Sequence, residues 1–284
     1  MQTRRIGDAK VSAIGLGAMH LTTDRRPDED RAVATIHAAL DAGVTLIDTA
    51  DAYTPSDRGL GANEEVVAKA LSTYSGASAE VMVATKGGHT RDGEDWGTNG
   101  RPGYLRQACE ASLRRLGVDT VDLYQHHRPD PEVPYEETMG GLKALYDAGL
   151  IARAGISNAN PAQIRLAHEV LGDALVSVQN QFSPRFRSSE SEIDLCEELG
   201  LAFLPWSPLG GMREAKDLGP THTAFAEVAD RHDVSPQQVC LAWELAISDV
   251  MIPIPGASRP QSIQDSVAAA GLRLTADELA SLAN

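Results

Sequence analysis

Short apolar runs alternate with longer helical patterns along the chain, and this alternation constrains the fold more than any other feature. Such runs, rich in valine, isoleucine and leucine, are typical of parallel strands that helices cover on both faces. Eight runs within 284 residues fit a closed (β/α)8 TIM barrel better than an open sheet. They lie at 11–17, 44–50, 80–86, 120–127, 151–157, 175–180, 201–206 and 250–256.

Helix start and stop signals fall between these runs. Proline, aspartate, asparagine or serine at the start predicts helices at 30–42, 104–116, 136–148, 161–171 and 236–247. Glycines suited to a left-handed helix end follow, at Gly43, Gly117, Gly149, Gly172 and Gly200. No low-complexity linker interrupts the pattern, so residues 1–284 are predicted to form a single domain. The segment 3–15, with a turn at 7–8, predicts an N-terminal β-hairpin that plugs one barrel end.

Charge and cysteine content exclude several classes of function. The formal net charge is −15, which disfavours binding to nucleic acid or an anionic membrane. Three widely spaced cysteines, Cys109, Cys196 and Cys240, suit reduced thiols in the cytoplasm rather than a metal site. No apolar run reaches the roughly 18 residues of a membrane span, and the first ten residues lack a signal-peptide pattern. We therefore expect a cytoplasmic protein without a metal.

Polar residues end the predicted strands, and the active sites of such barrels lie at these carboxyl ends. Lys86 ends the third run, where burial of its ammonium group without a partner would cost free energy. Asp48 ends the second run and could pair with it, although a lysine reaching out to the rim is the alternative. Tyr53 lies five residues beyond Asp48. A nearby ammonium group favours the phenolate, so Tyr53 is a candidate general acid.

Two adjacent histidines, His126 and His127, end the fourth run. Their side chains point to opposite faces of the strand, so a metal site that uses both is disfavoured. A single histidine here is either a hydrogen-bonded structural residue or a catalytic group. Motifs of serine hydrolases, zinc proteases and P-loop proteins are absent from the sequence. Gly15-Leu16-Gly17 lacks the third glycine of the dinucleotide fingerprint, so any nucleotide is held without a Rossmann turn.

Several separated motifs complete the pattern. They are I-D-T-A-D-A-Y (47–53), A-T-K (84–86), D-L-Y-Q-H-H-R (122–128), G-I-S-N (155–158), V-Q-N (178–180), W-S-P-L-G (206–210) and I-P-G-A-S (254–258). In sequence and in order they resemble the motifs of the aldo-keto reductases, (β/α)8 enzymes that use NADP(H). The resemblance covers nearly the whole chain.

This resemblance implies a catalytic tetrad of Asp48, Tyr53, Lys86 and His127, and it selects His127 over His126. Tyr53 would protonate the carbonyl oxygen while a hydride passes from the nicotinamide to the carbonyl carbon. Lys86, held by Asp48, would tune the phenol, and His127 would orient the carbonyl group. Hydrogen-bond donors aimed at an oxygen that gains negative charge stabilise the transition state.

The resemblance also implies a cofactor that lies extended across the barrel mouth. Ser157, Asn158 and Gln179 would hydrogen-bond the carboxamide, and Trp206 would stack on the nicotinamide ring where the family usually has tyrosine. The implied cofactor-binding residues are Gly17, Ala18, Met19, Asp48, Ser157, Asn158, Gln179, Trp206, Ser207, Leu209, Gly211, Gly256, Ser258, Arg259, Asp265 and Ser266.

The adenosine end departs from the best-known members. Gly256 replaces a lysine and Ser262 replaces a later arginine, which leaves Arg259 as the nearest cation for a 2′-phosphate. Asp265 and Ser266 stand where the family usually has Glu-Asn beside the adenine. One guanidinium can bind a phosphate with two parallel hydrogen bonds. NADP(H) is therefore the expected cofactor, with NAD(H) as the alternative.

The segment 87–103 is the longest loop expected over the mouth, with Trp96 as its one large apolar side chain. We expect Met19, Tyr53, Trp96 and His127 to border the substrate pocket; an exposed loop without a role in binding is the alternative.

The function expected is NADP(H)-dependent reduction of aldehydes or ketones, with a small-molecule carbonyl substrate. Alternatives are an alcohol or sugar dehydrogenase that runs in the oxidising direction, and a cofactor-binding redox-sensor subunit with slow turnover. A metal-dependent barrel hydrolase is disfavoured because candidate ligands do not cluster at the strand ends.

Overall fold

The computed structural model describes residues 1–24, 26–78, 80–211 and 214–283, in which strands and helices alternate. The strands are β1 (Thr3–Ile6), β2 (Ala9–Ser12), β3 (Leu16–Gly17), β4 (Leu46–Asp48), β5 (Met82–Gly87), β6 (His89–Asp92), β7 (Asp95–Thr98), β8 (Leu123–His126), β9 (Ala154–Ser157), β10 (Leu175–Gln179) and β11 (Ala202–Phe203). The helices are α1 (Glu29–Asp41), α2 (Ala62–Thr73), α3 (Pro102–Leu116), α4 (Tyr135–Asp147), α5 (Pro161–Leu171), α6 (Glu190–Leu199), α7 (Leu218–Thr221), α8 (Thr223–His232), α9 (Pro236–Ile247), α10 (Pro260–Ala268) and α11 (Ala276–Leu282). Across the described ranges, no helix has the length and apolar content to cross a membrane.

A seven-stranded sheet forms the centre of the molecule, in the order β11-β10-β9-β8-β5-β4-β3. All of its neighbouring strands are parallel. Every residue of β5, β8, β9 and β10 is buried, as strands covered on both faces require. The prediction of a parallel α/β fold is confirmed.

The last predicted strand, 250–256, differs from the expectation, because it pairs through isolated bridges and not as a regular strand. Met251 bridges to Phe203 at one edge of the sheet, and Gly256 bridges to Gly17 at the other. Prolines at 253 and 255 have no N–H to donate, which prevents a continuous ladder. At position 17, a Cβ would lie 2.7 Å from the Ile254 carbonyl oxygen, so only glycine allows this close approach.

An antiparallel hairpin, β1–β2, precedes the sheet and turns at Gly7, which has a φ of +59°. Its Ile6 and Val11 are buried in one cluster with Leu46 and Met82, the first residues of β4 and β5. The hairpin therefore packs against the amino-terminal ends of the strands, away from the ends that carry Asp48 and Lys86.

Helix boundaries agree with the start and stop signals to within one or two residues. Asp28 accepts a hydrogen bond from the Arg31 amide at the start of α1, and Ser235 accepts one from the Gln238 amide at the start of α9. The five glycines predicted at helix ends all have positive φ.

The segment 87–103, expected to be a loop, instead contains the antiparallel hairpin β6–β7. Gly93 at its tip has a φ of +59°, as a tight turn requires. Trp96 on β7 pairs with Arg91 on β6, and the Arg91 guanidinium lies 4.3 Å from the indole centroid. Trp96, which the sequence places on a loop over the barrel mouth, therefore lies on a strand of a hairpin.

Candidate active site

Lys86 lies in the centre of the site and is fully buried, with 0% of its surface exposed. Its Nζ donates to Asp48 Oδ2 at 2.6 Å, to the Thr49 carbonyl oxygen at 2.9 Å and to the Tyr53 hydroxyl at 3.2 Å. These three partners match the three N–H groups of an ammonium, so the charge is buried without an unsatisfied donor.

The second carboxylate oxygen of Asp48 also has hydrogen-bond partners. Oδ1 accepts from Gln125 Nε2 at 3.1 Å and from Gln179 Nε2 at 2.8 Å. The carboxylate thus joins side chains from β5, β8 and β10 at the carboxyl ends of the strands. Parallel register brings these ends to one level, since Lys86 pairs with Gln125 and Gln179 with Ser157.

The Tyr53 hydroxyl is buried beside the Lys86 ammonium. Burial raises the pKa of the phenol, and the Lys86 charge is the largest effect in the opposite direction. The sequence argument considered only the lysine, which on its own would make the phenol more acidic; in the structure the cost of burying a phenolate is larger. The hydroxyl therefore keeps its proton at neutral pH.

His127 and His126 lie on opposite sides of the strand end. His127 lines a cavity, with its ring centroid 5.5 Å from that of Tyr53. His126 is buried on the other side, 5.9 Å from the Tyr135 ring of α4. Burial and then the nearby Lys86 charge hold the pKa of His127 well below its usual range, so its imidazole is neutral.

A cavity of about 1320 Å³ opens above these side chains and continues along the carboxyl ends of the strands. It reaches from Trp96 and His127 to Arg259 and Asp265. Ala18 and Lys86 are fully buried and do not line the cavity. The other sequence-predicted site residues line it: Gly17, Met19, Asp48, Tyr53, Trp96, His127, Ser157, Asn158, Gln179, Trp206, Ser207, Leu209, Gly211, Gly256, Ser258, Arg259, Asp265 and Ser266.

Asn158 links the Trp206 indole to the backbone of His127 through its side-chain amide. Its Oδ1 accepts from Trp206 Nε1 at 3.2 Å, and its Nδ2 donates to the His127 carbonyl oxygen at 3.0 Å. Asn158 and Ser207 have positive φ values of 57° and 52°, a costly conformation for residues other than glycine. Such backbone conformations concentrate at functional sites.

The end of the cavity where the resemblance places the adenosine (the adenosine end) carries cations and hydroxyl groups. Arg259 Nε donates to Ser262 Oγ at 2.9 Å. Asp265 accepts from Ser235 Oγ at 2.7 Å and from Gln238 Nε2 at 2.6 Å. Sequence reasoning missed the exposed Lys216, which also lines this end.

Gly256 faces His20, another lining residue outside the sequence-predicted set. A Cβ at position 256 would lie 2.6 Å from His20 Cδ2, closer than side chains approach one another. The imidazole therefore fills the space where the family's lysine would begin.

Sequence reasoning also missed two lining residues near the catalytic end, His89 and Arg128. His89 Nδ1 bonds the Gly97 carbonyl oxygen at 2.7 Å, and Arg128 Nε donates to His89 Nε2 at 3.3 Å. The His89 ring lies 4.5 Å from that of His127 and 5.3 Å from that of Trp96. Arg128 follows His127 directly in the chain, a position that could have marked it for attention.

Comparison with known proteins shows the family of the chain. The model of the aldo/keto reductase family matches residues 13–284. The chain belongs to the aldo/keto reductase family. It is 36% identical to an uncharacterized oxidoreductase of Schizosaccharomyces pombe, over 99% of this chain and 88% of that protein. It is 34% identical to the Glycine max protein named "Probable aldo-keto reductase 1", over 95% of this chain and 84% of that one.

Solved structures give the same result for the fold. A thermostable aldo-keto reductase in complex with the inhibitor epalrestat has a TM-score of 0.83 and 27% identity, and the match covers 100% of this chain and 99% of that one. The glycerol dehydrogenase of Gluconobacter oxydans has a TM-score of 0.83 and 29% identity, over 99% and 93% of the two chains. The resemblance found in the sequence motifs is confirmed: this aldo/keto reductase is an oxidoreductase of a family that uses nicotinamide cofactors.

Proposed function

We propose that this aldo/keto reductase reduces aldehydes or ketones to alcohols with NADP(H), and that Tyr53 is the general acid. The observation that carries the proposal is the Tyr53 hydroxyl, 3.2 Å from the buried Lys86 ammonium. A proton donor and the charge that stabilises its conjugate base thus stand together at one end of a long cavity.

The residues along the cavity suit a nicotinamide dinucleotide. Gly211 leaves part of the wall without a side chain, with no atom where a Cβ would stand, so a pyrophosphate can approach the backbone there. Trp206 offers an aromatic face near the catalytic end, and Arg259 offers a guanidinium for a 2′-phosphate at the other. When bound, the reduced nicotinamide supplies a hydride to the carbonyl carbon.

The chain's own residues supply the proton and stabilise the charge. Tyr53 gives its proton to the carbonyl oxygen, and the Lys86 ammonium stabilises the phenolate that remains. Asp48, with both oxygens hydrogen-bonded, keeps Lys86 charged and in place. The neutral His127 imidazole donates a hydrogen bond to the same carbonyl oxygen and fixes its direction. A proton from solvent then restores the phenol.

The reverse reaction is a second candidate function. The same donors act in reverse once Tyr53 is a phenolate, and the similar structure from Gluconobacter oxydans is named a glycerol dehydrogenase. An alcohol dehydrogenase of this type would be most active at high pH, since the pKa of Tyr53 is raised.

We propose that residues 1–284 form one domain in which the segment 250–256 closes the barrel as its eighth strand. The bridges of Met251 and Gly256 to opposite edges of the sheet support closure. The contacts of Ile6 and Val11 support a hairpin that plugs the amino-terminal end of the barrel. We further propose a cytoplasmic protein with a small carbonyl substrate and no metal requirement.

Titration with NADPH and NADH, followed by turnover of a panel of aldehydes, tests the function. Tyr53→Phe should lower kcat by roughly 10²–10⁴-fold, the usual contribution of a general acid. Tyr146→Phe, a change at an exposed tyrosine of α4, serves as the matched control and should leave turnover unchanged. Cofactor binding without turnover of any carbonyl would favour a redox-sensor subunit instead. Tighter binding of NADH than of NADPH would reject the role given to Arg259.

A further inference from the structure

The catalytic end of the cavity is poor in negative charge, although the whole chain carries a formal net charge of −15. Among the described lining residues the carboxylates are Asp48 and Asp265. Both oxygens of Asp48 are engaged by Lys86 and two glutamines, and Asp265 lies at the adenosine end. The remaining ionisable side chains at the catalytic end include two histidines and an arginine: His89, His127 and Arg128.

Among the described residues at the catalytic end of the cavity, Arg128 is a cation with unused hydrogen-bonding capacity. In the described ranges its one side-chain hydrogen bond is from Nε to the His89 imidazole, and no carboxylate lies within 4.0 Å. By contrast, Arg91 on the neighbouring hairpin pairs with Asp24, and Arg115 pairs with the buried Glu64. A guanidinium has five N–H donors in a planar fork that matches a carboxylate or a phosphate. The Nη groups of Arg128 are thus available to a ligand.

A hydrogen bond and an edge-on ring contact, both made by His89, connect this guanidinium to the reacting centre. The His89 ring lies between Arg128 and His127, with its centroid 4.5 Å from that of His127. The Arg128 charge reaches both imidazoles, because it contributes to the lowered pKa of each. Met19 and Trp96, which are 36% and 41% exposed, offer apolar contacts at the rim.

We propose that the carbonyl substrate carries an anionic group, a carboxylate or a phosphate, about one ring's width from its carbonyl carbon, and that Arg128 binds this group. The inference rests on the proposed function and adds a substrate class to it. The feature that carries it is an unpaired guanidinium beside the imidazole next to His127, in a cavity whose nearby carboxylate is already satisfied.

A comparison of charged and neutral aldehydes tests the inference. The probes are benzaldehyde, its ortho-, meta- and para-carboxy derivatives, and para-formylphenyl phosphate, each with saturating NADPH. The wild-type protein should show a kcat/KM about tenfold higher for the meta or para acid than for benzaldehyde or the ortho acid, as expected for a charged hydrogen-bonded pair. The advantage should shrink as salt is added. The better of the carboxylate and phosphate probes identifies the anion.

Two variants assign the preference to one residue. Arg128→Gln should remove the advantage of the acids over benzaldehyde, mainly through KM. Arg165→Gln, at an exposed arginine that pairs with Glu198 and does not line the cavity, should keep it. Equal kcat/KM for acids and benzaldehyde in the wild type would overturn the inference. So would an Arg128→Gln variant that loses activity on both by the same factor, since Arg128 would then only support His89.

A binding measurement separates this inference from the proposed function. Calorimetric titration of benzoate against benzamide, a pair of similar shape that differs in charge, needs no turnover. With NADP+ present, the wild type should bind benzoate at least tenfold more tightly than benzamide, and Arg128→Gln should not. Equal binding of the two overturns the substrate class, whatever the activity. Loss of all carbonyl turnover with benzoate selectivity intact would instead overturn the proposed function alone.

Discussion

The two ends of the cavity hold their charges in opposite ways. At the catalytic end, Lys86 and Asp48 are buried, and each has hydrogen-bond partners for its charged atoms. At the adenosine end, Arg259 and Lys216 are exposed and have no carboxylate partner in the part of the chain that the structure describes. Under the proposed function, the reacting groups are thus fixed by the fold, whereas discrimination between NADP(H) and NAD(H) depends on side chains at the surface.

This difference teaches where single substitutions act strongly. A buried charge that loses its partner keeps its full desolvation penalty, so one change disturbs both folding and chemistry. An exposed cation interacts through water and is screened by salt, so its loss changes only the affinity for an anion. Single substitutions among the buried catalytic groups should therefore abolish turnover, whereas substitutions of the exposed cations should change only the preference between cofactors.

The largest effect is expected from Lys86→Met. The change leaves Asp48 buried without a cation and removes the charge beside Tyr53. The free energy of unfolding should fall by about 3–5 kcal/mol, as when one member of a buried ion pair is removed. Turnover should fall below detection. Urea unfolding and kcat/KM with NADPH and an aldehyde measure the two effects.

Lys143→Met is the matched control for this comparison. Lys143 is a partly exposed lysine that pairs with Asp147 one helical turn away, and it does not line the cavity. Its unfolding midpoint and kcat/KM should stay close to those of the wild type. A Lys86 variant as stable and active as the Lys143 variant would contradict the contrast between the two ends.

A smaller effect is expected from pH, with opposite signs for the two reaction directions. The pKa of Tyr53 is raised, so below that pKa the phenol carries its proton. Reduction needs the protonated phenol and should keep its kcat/KM from about pH 6 to about pH 9. Oxidation needs the phenolate and should rise about tenfold per pH unit over this range. A reduction rate that falls through neutral pH would transfer the acid role to an imidazole.

Arg259→Gln tests the exposed end. The Kd for NADPH should rise about tenfold, because one guanidinium–phosphate contact is lost. The Kd for NADH should change much less, and the difference should shrink at high ionic strength. Fluorescence titration at two salt concentrations measures both constants. Equal weakening of NADPH and NADH would show that Arg259 does not bind a 2′-phosphate.

The smallest change is expected from Asp265→Asn. This half-buried side chain accepts hydrogen bonds from Ser235 and Gln238, and an asparagine oxygen can keep one of them. The KM for NADPH should change by about threefold or less, a typical size for a partly exposed polar contact. A loss as large as that from Lys86→Met would mean that this end is as tightly built as the catalytic one.

Patterns with a local physical cause could be predicted from the sequence. Strands buried on both faces and glycines that end helices depend on nearby residues alone. The meeting of Asp48, Tyr53 and Lys86 could also be predicted, since polar residues at the ends of parallel strands converge at one level. That Tyr53 belongs to this group came from its distance to Asp48 in the chain and from the family motif.

Other features depend on contacts that the sequence does not display. The hairpin β6–β7 has Asp92-Gly93 as a turn signal, but its flanking residues are polar and do not alternate with apolar ones. His89 reaches the cavity only because this hairpin folds over His127. The raised pKa of Tyr53 reflects the depth of burial, which depends on the packing of the whole site.

The close approach of His20 to Gly256 couples the side-chain sizes that two distant positions of the chain can accept. A side chain at position 256 requires the His20 imidazole to move, and with it the part of the cavity wall that the ring forms. A lysine at position 256 should therefore be accommodated more easily when residue 20 is small than when it is histidine.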